Sequence, residues 1–377
     1  MDFTRRSFLA QGALALAWPA LGRLHGAARP VGTLVEGGPL AFLSAQTGRP
    51  KSLIIDTDPG VDDAVSILLA FKSKEVNVEC LTVVGGNVEA EFGQRNARTL
   101  VELAGHPEVP VALGATRPLV RKMVTARPYH GANGFGNIQL PEPRVRLIDQ
   151  HAMDFIISLV KARPNQISIL AIGPLTNIAL ALLKDPSIAP QIAELVFMGG
   201  TINSNGNVTP VATFNVYADP EAARIVMNSG ISRIGMVGTD VTTKVQFTAA
   251  DFDKIDQAGT QVAHIAAELG RFRLNRVGRD ATGREPTTGF NDLPATAYVI
   301  QSRHFTTERM KVDVETAGQL TLGQTVANRR NVVVKIGPEG DHFGIVGSEP
   351  VEPNVDVAVA IEEQQVKALF MERLSAS

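Results

Sequence analysis

Short β-branched runs recur along this chain at the spacing of a strand–helix repeat. SLIID (52–56), VECLTVV (78–84), ISILAI (167–172), ELVFMGG (194–200) and RIGMVG (233–238) each read as a buried strand. Helical patterns lie between them, near 62–73, 90–105, 149–163, 174–184 and 219–229. That alternation predicts an α/β fold: an open, largely parallel, Rossmann-like sheet with helices on both faces. Beyond about 245 the pattern loosens. Helices near 249–275 and 292–302, strands near 309–314 and 331–336, and a last helix from about 355 read as a C-terminal capping section. Sheets of this kind bind ligands outside the carboxyl ends of their strands.

The repeat occupies residues 51–377, and a 44% hydrophobic content suffices for one large core. A formal net charge of -2 argues against a general nucleic-acid binder. Residues 1–28 have a different character. Arg5 and Arg6 precede Phe8, Leu9 and a modest apolar stretch broken by Gln11, Gly12 and Pro19. That layout is expected of a twin-arginine-type export signal, with residues 29–50 as a flexible leader and a periplasmic destination. The apolar part is too short and interrupted for a stable membrane span. Cys80 is the single cysteine, so no intrachain disulfide forms, and its strand-like setting predicts a buried, inert thiol.

The first strand runs into DTDPGVDDA (56–64), four aspartates in eight positions. Pro59 and Gly60 turn the chain, and Asp62 and Asp63 open the next helix, where free N–H groups favour carboxylates. Capping accounts for one or two of the four. The remaining repulsion grows as water is excluded, and a divalent cation is the economical remedy. Carboxylates, backbone carbonyls and retained water suit calcium, and magnesium less well. The spacing is not that of an EF-hand. It also departs from the phosphatase pattern Asp-x-Asp-Gly-Thr, because Pro59-Gly60 follows the second aspartate.

Other motifs follow in order: VVGGN ending at Asn87, HGANG (130–134), IGPLTNIALAL (172–182), FMGG (197–200), GNVTP (206–210), FNVYADPEAA (214–223) and NDLPATAYVI (291–300). Together with the aspartate cluster, this series resembles the calcium-dependent nucleoside hydrolases of the inosine–uridine-preferring type, over about 52 to 372. The resemblance implies that Asp58, Asp63, Asp292 and the carbonyl of Ile172 bind Ca²⁺, and that Asp58 also serves as general base. It implies that Asp62, Asn87 and Asn215 hold ribose hydroxyls, with Asn207 beside them. His130, in a glycine-rich loop, is a candidate for the substrate pocket. The implied partner is a ribonucleoside or related riboside, and the implied assembly is a homo-oligomer. Asp219, just before Pro220, reads instead as a helix cap.

Two positions depart from the family. Thr213 stands where a glutamate usually binds the ribose 5′-hydroxyl. Asn291 stands where a histidine often helps the leaving base depart, and an amide is no useful acid. Arg271, Arg273, Arg276, Arg279 and Arg284 crowd the region that covers the family's pocket. They read as a solvated helix face, with recognition of an anionic substrate as the alternative. The expected activity is therefore cleavage of ribonucleosides to ribose and base. A different, phosphorylated ribosyl substrate, or a ribosyl-binding protein without turnover, remains as alternative.

Overall fold

A computed structural model describes residues 49–277, 285–330, 332–339 and 342–376. The expected export signal, all of the leader before residue 49, and Arg279 and Arg284 lie outside the described residues. The strands are β1 (Lys51–Thr57), β2 (Val76–Val83), β3 (Val111–Leu113), β4 (Leu147–Ile148), β5 (Ile167–Ala171), β6 (Glu194–Met198), β7 (Ile234–Val237), β8 (Phe305–Val314), β9 (Thr325–Asn328), β10 (Val332–Glu339), β11 (His342–Pro350) and β12 (Val355–Ile361). Ten of them form one sheet in the order β4-β3-β2-β1-β5-β6-β7-β12-β8-β9. Neighbours from β4 across to β12 are parallel, and β8 and β9 finish the edge antiparallel.

Both faces of the sheet are covered, which is why its strands read as unbroken apolar runs. Within β1, Leu53 and Ile55 enter one core cluster and Ile54 enters the other. Val61, Val65 and Leu68 of helix Val61–Phe71 pack into the first cluster. Ile156, Ile178 and Val226, from helices Ala152–Ala162, Thr176–Lys184 and Pro220–Met227, fill the second. Each such side chain, fully buried, contributes about 1.5–3 kcal/mol. Cys80 lies in the second cluster, and burial pushes its thiol far up, so it is inert.

Strand order runs outward in both directions from the β1–β5 pair. That reversal opens a crevice beyond the carboxyl ends of these two strands. The amide of Ile172 donates to the Asp56 carbonyl at 2.8 Å, so β1 and β5 stay paired up to the crevice.

The section after 245 does two jobs. Helices Ala249–Asp256, Gln261–Val277 and Leu293–Gln301 pack over the first core cluster, while β8, β9 and β12 extend the central sheet. The helix expected from about 355 is corrected: residues Val355–Ile361 are a strand, and the helix is Glu363–Leu374. VDVAVAI carries the β-branched alternation of a strand, and pairing with β7 and β8 decides it. The strand expected near 331–336 is β10, which among the described residues pairs with β11 in a sheet of two strands. Among the described residues, no helix is long and apolar enough to cross a membrane.

Candidate active site

A cavity of about 400 Å³ opens at the β1–β5 crevice. Asp62, Asn87, His130, Ile172, Asn207, Asn215, Asn291 and Asp292 all line it. Thr213 does not: it is fully buried, and its hydroxyl accepts the amide of Gly200 at 2.7 Å. Asp58 and Asp63 are fully buried and do not line it, but both accept from Asn87, which does.

The turn after β1 places the aspartates. Gly60 caps helix Val61–Phe71, and its amide donates to Asp63 Oδ2 at 3.0 Å. Asp63 also accepts from the Thr57 hydroxyl at 2.6 Å and the Asn87 amide group at 2.8 Å. Asp58 Oδ2 accepts the backbone N–H of Asn87 at 2.6 Å. Two glycines make these approaches possible. A Cβ on Gly86 would fall 2.0 Å from Asp58 Oδ2, and one on Gly60 would fall 2.4 Å from His130 Nδ1.

Ligand oxygens of Asp62, Asp63 and Asp292 lie within 4.8 Å of one another. Burial, then the charge of Asp63, drives the Asp58 carboxyl well above the usual range. Asp292 is raised likewise, by burial and then by Asp62, Asp63 and Asp58. Burial and Asp62 lift Asp63 to about 6. Asp62 is the exception. Burial pushes it up, but Arg273 leads the opposing charges, and its carboxyl ends below the usual range. Arg273 Nη1 lies 3.3 Å from Asp62 Oδ2, and the Asn291 amide donates to the same oxygen at 3.3 Å.

The cluster fits a hard cation. Asp58 Oδ1 and Asp62 Oδ1 are buried without a hydrogen-bond partner, a state that costs about 1–3 kcal/mol or more per atom. Ile172 lines the same cavity, and its carbonyl accepts from Asn215 Nδ2 at 2.7 Å, which engages one of its two lone pairs.

The remaining polar residues are fixed by local bonds. Asn215 also donates to the Met198 carbonyl at 3.2 Å, and Asn207 Oδ1 accepts the Phe214 amide at 2.7 Å. His130 Nδ1 accepts the Val61 amide at 3.1 Å, and burial lowers its pKa to about 4. Asp219 caps helix Pro220–Met227 through Ala222 N at 3.1 Å, as its position before Pro220 suggested. Sequence reasoning did not single out Tyr129, Met198, Phe214 and Tyr217, which also line the cavity. They flank or lie inside HGANG, FMGG and FNVYADPEAA, so the motifs themselves were the signal.

A buried carboxylate cluster beside side-chain amides, at the switch point of a parallel sheet, has the donor set of a cation-assisted site for a polar small molecule. Comparison with known proteins narrows this. The family model for inosine-uridine preferring nucleoside hydrolase matches residues 53–368. The inosine-uridine preferring nucleoside hydrolase of Leishmania major is 40% identical over 285 residues, 74% of this chain and 88% of its own. A probable uridine nucleosidase of Oryza sativa subsp. japonica is 38% identical over 290 residues, 75% of this chain and 86% of its own. The solved structure of a plant nucleoside hydrolase superposes with a TM-score of 0.78 at 33% identity, covering 87% of this chain and all of that one. The chain belongs to the inosine–uridine preferring nucleoside hydrolase family, metal-dependent enzymes that hydrolyse the N-glycosidic bonds of nucleosides.

Proposed function

We propose that this protein is an exported ribonucleoside hydrolase whose resident ion is calcium. When bound, the ion supplies the charge that acidifies the attacking water and neutralises the carboxylates. Asp58, Asp63, Asp292 and the Ile172 carbonyl would hold it. The oxygen cluster itself is formed by Asp62, Asp63 and Asp292, without Asp58, and within it Asp62 Oδ2 is already engaged by Arg273 and Asn291. Its role is therefore a ribose hydroxyl, shared with Asn87, Asn215 and Asn207. Asp58 accepts the proton of the attacking water as general base. The bond from C1′ to the base nitrogen breaks, its electron pair leaves with the base, and the cationic sugar faces the carboxylates. One observation carries this reading: Asp58 Oδ1 is buried without a hydrogen-bond partner in the field of Asp62 and Asp63, whose oxygens cluster with those of Asp292.

The phosphorylated-substrate alternative finds less support. Arg271 is bound by Asp253, Asp256 and Glu268, and Arg276 by the Pro128 carbonyl, so among the described arginines a single one, Arg273, reaches the cavity, where a phosphate calls for a cluster. Ribose release from a panel of purine and pyrimidine nucleosides, with calcium present, tests the activity. Release from several of them is expected, and release from none by folded protein would refute it. The export reading rests on Arg5, Arg6 and the apolar stretch after them. Replacing both arginines by lysine should leave the folded precursor in the cytoplasm, and undiminished periplasmic protein would refute a twin-arginine signal.

A further inference from the structure

Among the described residues, neither Asn291 nor His130 is an acid placed to help the leaving group. Asn291 carries an amide at that end of the cavity, and His130 Nδ1 accepts the Val61 amide, which leaves its proton on Nε2 of a neutral ring. The basic run on helix Gln261–Val277 separates into three different environments. Arg271 is held by Asp253 and Asp256, each at 2.7 Å, and by Glu268 at 2.9 Å. Arg276 donates to the Pro128 carbonyl and stacks 5.3 Å over the Phe272 ring. Of the described arginines, only Arg273 lines the cavity. Its guanidinium lies 5.9 Å over the Phe290 ring, and Nη1 shares Asp62 Oδ2 with the backbone N–H of Asn291. An ion pair and a backbone hydrogen bond converge on one oxygen and place the cation close to Asn291.

We propose that Arg273 is a catalytic residue that stabilises the departing base, an inference that rests on the hydrolase reading above. As the C1′–N bond breaks heterolytically, the electron pair moves onto the base and spreads to its ring nitrogens and oxo groups. A guanidinium has five N–H donors, and the Asp62 contact engages one nitrogen. Its free N–H groups bond the acceptors of the forming base anion. Arginine keeps its proton throughout. The attacking water gives its proton to Asp58 as the new C1′–O bond forms, and the base anion is protonated by solvent as it leaves. Because the charge develops only in the transition state, the contact acts on kcat more than on KM.

The test compares inosine with p-nitrophenyl riboside, using the calcium-loaded protein. Both substrates share the ribosyl half, but p-nitrophenolate departs as a stable anion and needs little help. In Arg273→Gln, the ratio of kcat/KM for p-nitrophenyl riboside to that for inosine should rise about 100-fold over wild type. Arg273→Lys keeps the charge without the fork, and its ratio should rise about tenfold. The lysine variant also provides the reading if the glutamine variant melts below assay temperature. A ratio unchanged within about threefold in either folded variant would mean that Arg273 only orders Asp62 for the sugar, and would overturn the proposal. Wild-type protein that cleaves neither substrate would instead refute the hydrolase reading itself.

Discussion

Asp58 is held through one oxygen only. Oδ2 accepts the Asn87 amide, while Oδ1 is buried without a partner and the whole carboxyl is driven upward by burial and by Asp63. An amide at this position keeps the shape but cannot take a proton. Asp58→Asn should therefore lower turnover at least about 100-fold. The metal-free melting temperature should not fall, since one like charge leaves the cluster. Steady-state kinetics beside a thermal melt checks both halves, and a variant that keeps more than about a tenth of the activity removes Asp58 as base. At this scale the sequence is informative where a motif concentrates one chemistry. Four aspartates in DTDPGVDDA are enough to call for a cation. The sequence is silent where rotamers decide: nothing distinguishes Arg273 from Arg271 and Arg276, which share a helix but not its surroundings. Nor does it show that Thr213 turns its hydroxyl to Gly200 instead of the cavity.

The segment that delivers Asn291 and Asp292 is anchored by its neighbours. Phe290 is 1% exposed and packs against Phe247, Phe252 and Phe370 with ring centroids 5.7, 6.1 and 6.0 Å away. The same ring lies under Arg273. Phe290→Ala removes the anchor, so unfolding free energy should fall by about 3–5 kcal/mol. Calcium should bind more weakly as well, because Asp292 follows two residues later. Denaturant melts and calorimetric titration would show both effects; full calcium affinity in the variant would mean that Asp292 is positioned by something else. Elements with a long periodic signal, such as Ala90–Leu103 and Thr176–Lys184, are legible in the sequence. β3 and β4 are not, since three and two residues carry no period; β2 offers an edge to β3, and β3 offers one to β4. Strand β12 misleads for a related reason. It lies directly before a true helix, and only its place between β7 and β8 settles its state.

Over the whole molecule, the parallel sheet concentrates four carboxylates at one switch point, and their burial links metal affinity to pH. Asp63 sits at about 6 without metal, and Asp58 and Asp292 are raised well above the usual carboxylate range. A carboxyl whose folded pKa is raised binds more protons folded than unfolded. Metal-free stability from these groups is therefore present at low pH and lost as pH climbs from about 4 through their folded values. A cation needs them deprotonated, so its stabilisation should run the other way. The rise in melting temperature on adding calcium should be larger at about pH 8 than at about pH 5, by scanning calorimetry. An equal rise at both would remove these aspartates from the site. The most direct measurement is a titration of chelated, metal-free protein with calcium while ribose release from inosine and uridine is followed. Activity should be absent at the start and recover in proportion to added ion, levelling at about one equivalent per chain. Full activity in verified metal-free protein, or no ribose release at any calcium concentration, would contradict an aspartate cluster that works through a bound cation.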